Sequence, residues 1–153
     1  MMNGMQEWER NVVKAIGAAT AVLGTVVVAA TLIIKAWVGN PTVLTNAQLQ
    51  SLNPGARQII SKVIDTKGRI SDEGLRNAIV KEVGRVAAIN DSLKATEDLI
   101  KQGALEDALD RIINIKGEIE NFKYLNVDDI KERVLELRKA LYLVVQLQKE
   151  QSL

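Results

Sequence analysis

Between Lys14 and Lys35 run twenty consecutive residues without a charge, AIGAATAVLGTVVVAATLII, and no other stretch constrains the fold of this chain so tightly. As an α-helix rising about 1.5 Å per residue, the run is about 30 Å long, the thickness of a bilayer's hydrocarbon core. Trp8 and Trp37 stand outside it, where interfacial aromatics belong, and Lys14 and Lys35 can snorkel at its ends. A cleaved signal peptide does not fit. The run exceeds a normal apolar core, and Ala36-Trp37-Val38 offers no small-x-small cleavage site. A fully buried soluble helix of this kind needs a large protein around it, and this chain has 153 residues.

The make-up of the run adds a second constraint. Six Ala, two Gly and three Thr dilute nine Val, Ile and Leu, whose insertion into a bilayer is worth about 3 to 5 kcal/mol together. Gly17, Ala21, Gly24, Val28 and Thr31 recur every three or four residues, which draws a smooth ridge along one face. Such small-xxx-small spacing lets helix backbones approach closely. A lone lipid-facing anchor needs no ridge, so the helix is expected to pack against copies of itself or a partner helix. In the preferred setting, residues 12–38 cross a lipid bilayer once and the protein oligomerises there. In the alternative, the helix lies at the apolar centre of a virion coat or a filament. Arg10, Lys14 and the amino terminus precede the run, and only Lys35 follows it before Arg57. The positive-inside rule then places the N-terminus in the cytoplasm and the body outside.

The rest of the chain reads as all-α. Residues 1–39 form the apolar anchor with a short polar overhang, 40–54 a linker with a helical turn around Ala47–Leu52, and 55–153 an antiparallel bundle of about four amphipathic helices. Gly39-Asn40-Pro41 breaks the first helix. Asn53-Pro54 supplies an N-cap and first-turn proline for a helix to about Ile64, with Ile59, Ile60, Val63 and Ile64 as its apolar side. Ser71 is expected to cap the next helix, whose stripe runs Leu75, Ile79, Val83, Val86, Leu93 and Ile100 and ends at Gly103. Leu105, Ala108, Ile112, Ile115, Ile119 and Phe122 mark a third helix. Ile130, Val134, Leu137, Leu141 and Val144 mark a fourth that starts at Asn126, with Leu143, Val145 and Leu147 widening its stripe. The connections at Gly103 and Tyr124–Asn126 are too short for anything but antiparallel neighbours. Because residues 40–153 carry their own caps and stripes, they are expected to fold without the anchor.

Chemistry is bounded mainly by what is missing. With no His and no Cys, zinc sites, Cys/His pairs, Ser-His-Asp triads and di-iron Glu-x-x-His motifs are excluded. The carboxylates sit beside Lys and Arg on helix surfaces, where solvated ion pairs account for them. Lys plus Arg is 20 against 19 for Asp plus Glu, and from Asn40 onward 17 against 17 with the signs interleaved. Specific nucleic-acid binding, which draws on clustered positive charge, is not expected. Residues 65–73 resemble the Gly-x-Ile centre of an EF-hand loop around Gly68 and Ile70. The ligand positions, however, fall on Val63, Lys67 and Gly74. No catalytic residue, metal, cofactor or small-molecule substrate is expected, and the chain reads as a non-enzymatic structural or assembly subunit.

Overall fold

The computed structural model describes residues 6–39 and 43–152. Its elements are α1 (Glu7–Ala36), α2 (Asn46–Gln50), α3 (Pro54–Val63), α4 (Glu73–Lys101), α5 (Leu105–Glu118) and α6 (Asp128–Ser152). Among the described residues there is no strand, only two isolated bridges, Leu52 with Leu125 and Ile64 with Ile70.

Local chemistry sets most of the boundaries. Glu7 and Glu9 in the first turn of α1 and Lys35 in its last complement the helix dipole. The helix ends with the Trp37 N–H turned back to the Ile34 carbonyl and Gly39 at φ +85°; Asn40 and Pro41, the rest of the expected break, lie outside the described residues. Thr45 and Gln48 cap α2 reciprocally. Asn53 accepts from the Ala56 N–H, with Pro54 opening α3. Asp72, not Ser71, caps α4 through the Leu75 N–H, because the Ser71 hydroxyl is already committed to the Val63 carbonyl. Gly103, at φ +78°, turns the chain out of α4 as its spacing requires. In the loop before α4 the Asp65 carboxylate accepts the backbone N–H groups of Arg69 and Lys67, and these bonds hold its pKa below the ordinary value.

The long helices make a square: α1 packs on α6 and α4, and α5 closes the other side against the same two. Neighbours run antiparallel. Ala29–Ile33 of α1 lie beside Asp128–Glu132 of α6, and Lys149 near the end of α6 reaches Glu106 in the first turn of α5 at 3.2 Å. The fourth position of the bundle is thus taken by the apolar helix itself. Val12, Ala19, Leu23, Val26, Ala30, Ile33 and Trp37 belong to one core with Ile79, Val86, Leu93, Ile112, Ile115, Val134, Leu137 and Leu141. α3 sits at the end of the bundle, tied by Asn53, which donates its side-chain amide to the Lys123 carbonyl and its backbone N–H to the Tyr124 carbonyl. It buries Ala56 and Ile60, while Ile59 and Ile64, expected inside, are exposed. On α6, Val145 joins the core, Leu147 packs against it and Leu143 is exposed.

One buried carboxylate organises the turn between α5 and α6. Glu82 of α4 is 7% exposed. It accepts backbone N–H groups from Lys123 at 2.9 Å, Tyr124 at 3.0 Å and Leu125 at 3.0 Å. One turn on, Arg85 donates to the carbonyls of Asn121 and Glu118 at 2.7 and 3.0 Å and lies 4.2 Å from the centre of the Phe122 ring. The reading of carboxylates as solvated partners of Lys and Arg therefore fails at Glu82, which satisfies amides that the non-helical connection between α5 and α6 leaves free.

Candidate assembly face

α1 has two unlike sides. The inner side is the core stripe just described. On the outer side Gly17, Ala18, Thr20, Ala21, Gly24, Thr25, Val28 and Leu32 are all exposed, with no charge among them. Val28 and Leu32 show 60% and 65% of their surface, so the bundle uses only one side of the apolar surface that α1 carries. Only 28% of the most apolar eighteen-residue window of α1 is buried, whereas the core helix of a soluble protein is mostly covered.

Four of the five ridge residues, Gly17, Ala21, Gly24 and Val28, lie on this exposed side, and Thr31 is half-buried at its edge. A methyl group built on Gly17 or Gly24 meets nothing within 4 Å. Neither glycine is held small by a neighbour inside the chain, so both leave the backbone of α1 open on this side. The threonines behave consistently with that. Thr20, Thr25 and Thr31 donate their hydroxyls to the carbonyls of Ile16, Val22 and Val27, at 2.9, 2.6 and 2.7 Å. The donors are satisfied inside the helix, and the surface can be covered by apolar groups without stranding them.

The residues placed at the ends of the run separate. Lys14 and Lys35 are exposed, as snorkelling cations would be. Trp8 is half-buried and bonds to the Gln6 side chain at 2.6 Å. Trp37 is buried, its indole N–H donating to the Ser51 hydroxyl at 2.8 Å, which pins the end of α1 to the segment after α2.

Two depressions border the outer face. A groove of about 520 Å3 runs between α1 and α6, lined by Ala21, Gly24, Thr25, Val28, Ala29 and Leu32, with Asp129 and Arg133 on its far rim. A second, of about 570 Å3, continues past Leu32 and Ile33 to Ala47, Gln50, Asp128 and Glu132. The rim residues were not legible from the run, since only antiparallel packing of α6 brings them there. Among the described residues no three His, Cys, Asp or Glu side chains converge as metal ligands. Comparison of the chain with protein-family models, curated proteins and solved structures gives no match in any of the three.

Proposed function

We propose that this protein is a non-enzymatic assembly subunit that joins its neighbours through the outer face of α1 while the inner face stays in the bundle. The observation that carries the reading is the division of one apolar helix into two sides. One is fixed in the core; the other is uncharged from Gly17 to Leu32, open, and free of unsatisfied hydroxyls. A coat or filament in which α1 is covered by adjoining subunits uses both sides at once. An aqueous monomer leaves a contiguous apolar strip in water, which soluble proteins avoid unless it is a contact surface.

A single membrane span is the second reading. It is favoured by the length of α1, by a mean hydropathy of 2.2 over its most apolar eighteen residues, and by the exposed Lys14 and Lys35 at the two ends of the run. In that setting the N-terminus faces the cytoplasm and α1 must leave α4 and α6. Val12, Leu23, Val26, Ile33 and Trp37 are the large side chains that would withdraw from the core. These stay out of water in lipid, so the cost falls on the side chains they uncover: Ile79, Val86, Leu93, Val134, Leu137 and Leu141 of α4 and α6 are buried, and losing part of about 1.5 to 3 kcal/mol at each removes a large share of the stability of a domain this size. That cost is why assembly with the bundle intact is preferred.

Extraction of native material tests the choice. Assembly through an intact bundle predicts particles that remain soluble and large in plain buffer and are released by carbonate. Sedimentation with membranes through carbonate washing, with release only by detergent, would replace this reading with the spanning one.

A further inference from the structure

We infer that α1 is a detachable helix, able to lift from α4 and α6 before the rest of the chain unfolds, and that Asn90 of α4 limits how firmly it is held. Such release concerns the inner face of α1 and does not depend on what covers the outer one.

Asn90 is 6% exposed, and its side-chain carbonyl oxygen has no hydrogen-bond partner. The helical period, about 100° per residue, gives its direction. The side of α4 that meets α5 is marked by Arg85, bonded to the end of α5, and by Ser92 and Leu99, which line a cleft with Asp107, Asp110 and Asn114. Asn90 lies about 160° to 180° round the helix from Ser92 and Leu99. Its cover is therefore the other neighbour of α4, which is α1. That helix has no donor to offer. Ala29 and Leu32 mark its α6 side, so the half-buried Ile16, Val27 and Ile34 fall on the side towards α4. Thr20 and Thr31, the polar residues nearest them, donate their hydroxyls to carbonyls of α1 itself. A buried acceptor without a donor favours the form in which water reaches it. Lifting α1 produces that form.

The other ties of the bundle divide in the same way. α4 is joined to α5 and to the turn before α6 through Glu82 and Arg85, which bond the backbone at Glu118, Asn121 and Lys123 to Leu125. Between Ala19 and Ile33, by contrast, α1 is held by apolar contact, and two of the residues it buries there are the small Ala19 and Ala30, which remove little area from water. A helix held this way opens at a lower free energy than the whole domain.

The chain has no cysteine, so single introduced thiols in the full-length protein report each opening. Ala19→Cys in α1 and Ala108→Cys in α5 both replace fully buried alanines. With a thiol reagent under native conditions, and rates referred to those of the unfolded chain, Ala19→Cys should react at least tenfold faster than Ala108→Cys. Adding Asn90→Leu should slow both at least tenfold, because position 90 is uncovered whether α1 lifts alone or the bundle unfolds. Asn90→Ala, which removes the amide without adding bulk, should act in the same direction. Equal labelling of the two cysteines would mean that α1 leaves only on global unfolding, and would overturn the detachable helix. Slowing of Ala108→Cys alone would place the cost of Asn90 elsewhere than under α1. Slowing of neither cysteine by either substitution would show the amide to be satisfied, and each of these last two results would overturn the role of Asn90.

Discussion

Leu23→Lys is expected to abolish the folded bundle, whereas Val28→Lys, five residues further along the same helix, should leave it folded and stop it assembling. Leu23 is 1% exposed in the core and Val28 60% exposed on the outer face. A lysine at position 23 puts an unpaired charge among aliphatic side chains, at a cost of about 4 kcal/mol or more, enough to unfold a domain of ordinary stability. At position 28 the ammonium reaches water, and the change in monomer stability should stay within about 0.5 kcal/mol. Thermal melting by circular dichroism separates the two, and sedimentation at matched concentration reports assembly. Equal melting of both variants would mean that α1 has no inner and outer side. A Val28→Lys protein that assembles like the parent would remove the outer face from the account.

Glu82→Ala should produce a comparable loss from a position that makes no apolar contact argument at all. The substitution strands the backbone N–H groups of Lys123, Tyr124 and Leu125, each bonded to the carboxylate at about 3 Å. Leaving buried donors unsatisfied costs about 1 to 3 kcal/mol apiece when water does not replace the acceptor. Partial entry of water at the edge of the turn brings the expected total to about 3 to 5 kcal/mol. Glu82→Gln keeps one acceptor oxygen and should recover about half of the loss. Denaturant titration of the three proteins checks both steps. A Glu82→Ala variant as stable as the parent would show that the turn holds without the carboxylate, through Arg85 alone.

What could be read from the residues alone divides along a physical line. Helix spans and stripes were legible because their signals are local: Pro54 and Gly103 at their positions, and the 3-4 spacing of Leu105, Ala108, Ile112 and Ile115, all buried as expected. The ridge from Gly17 to Val28 was legible for the same reason, and it does occupy one side of α1. Which side of α1 meets the rest of the chain was not. A run that is apolar all round carries no period, so nothing distinguishes Ala19, Val26 and Ala30 from Ala21, Thr25 and Val28 until α4 and α6 are in place. Glu82 was hidden for a different reason. In Lys81-Glu82-Val83-Gly84-Arg85 it looks like one half of a solvated helix pair, while its partners lie 41 to 43 residues away. Trp37 likewise resembles an interfacial anchor until Ser51, fourteen residues on, takes its indole N–H.

The most direct test of the account is the fragment 40–153, which lacks α1. By its caps and stripes alone this fragment should fold; the packing of α1 on α4 and α6 reverses that expectation. With α1 absent, the faces of Ile79, Val86, Leu93, Val134, Leu137 and Leu141, now fully or nearly fully buried, lose one wall of their core. The account predicts a fragment that keeps part of its helical signal, melts without a cooperative transition, and aggregates or self-associates. A soluble monomeric fragment that melts cooperatively near the midpoint of the full chain would contradict it, returning α1 to the role of a detachable anchor.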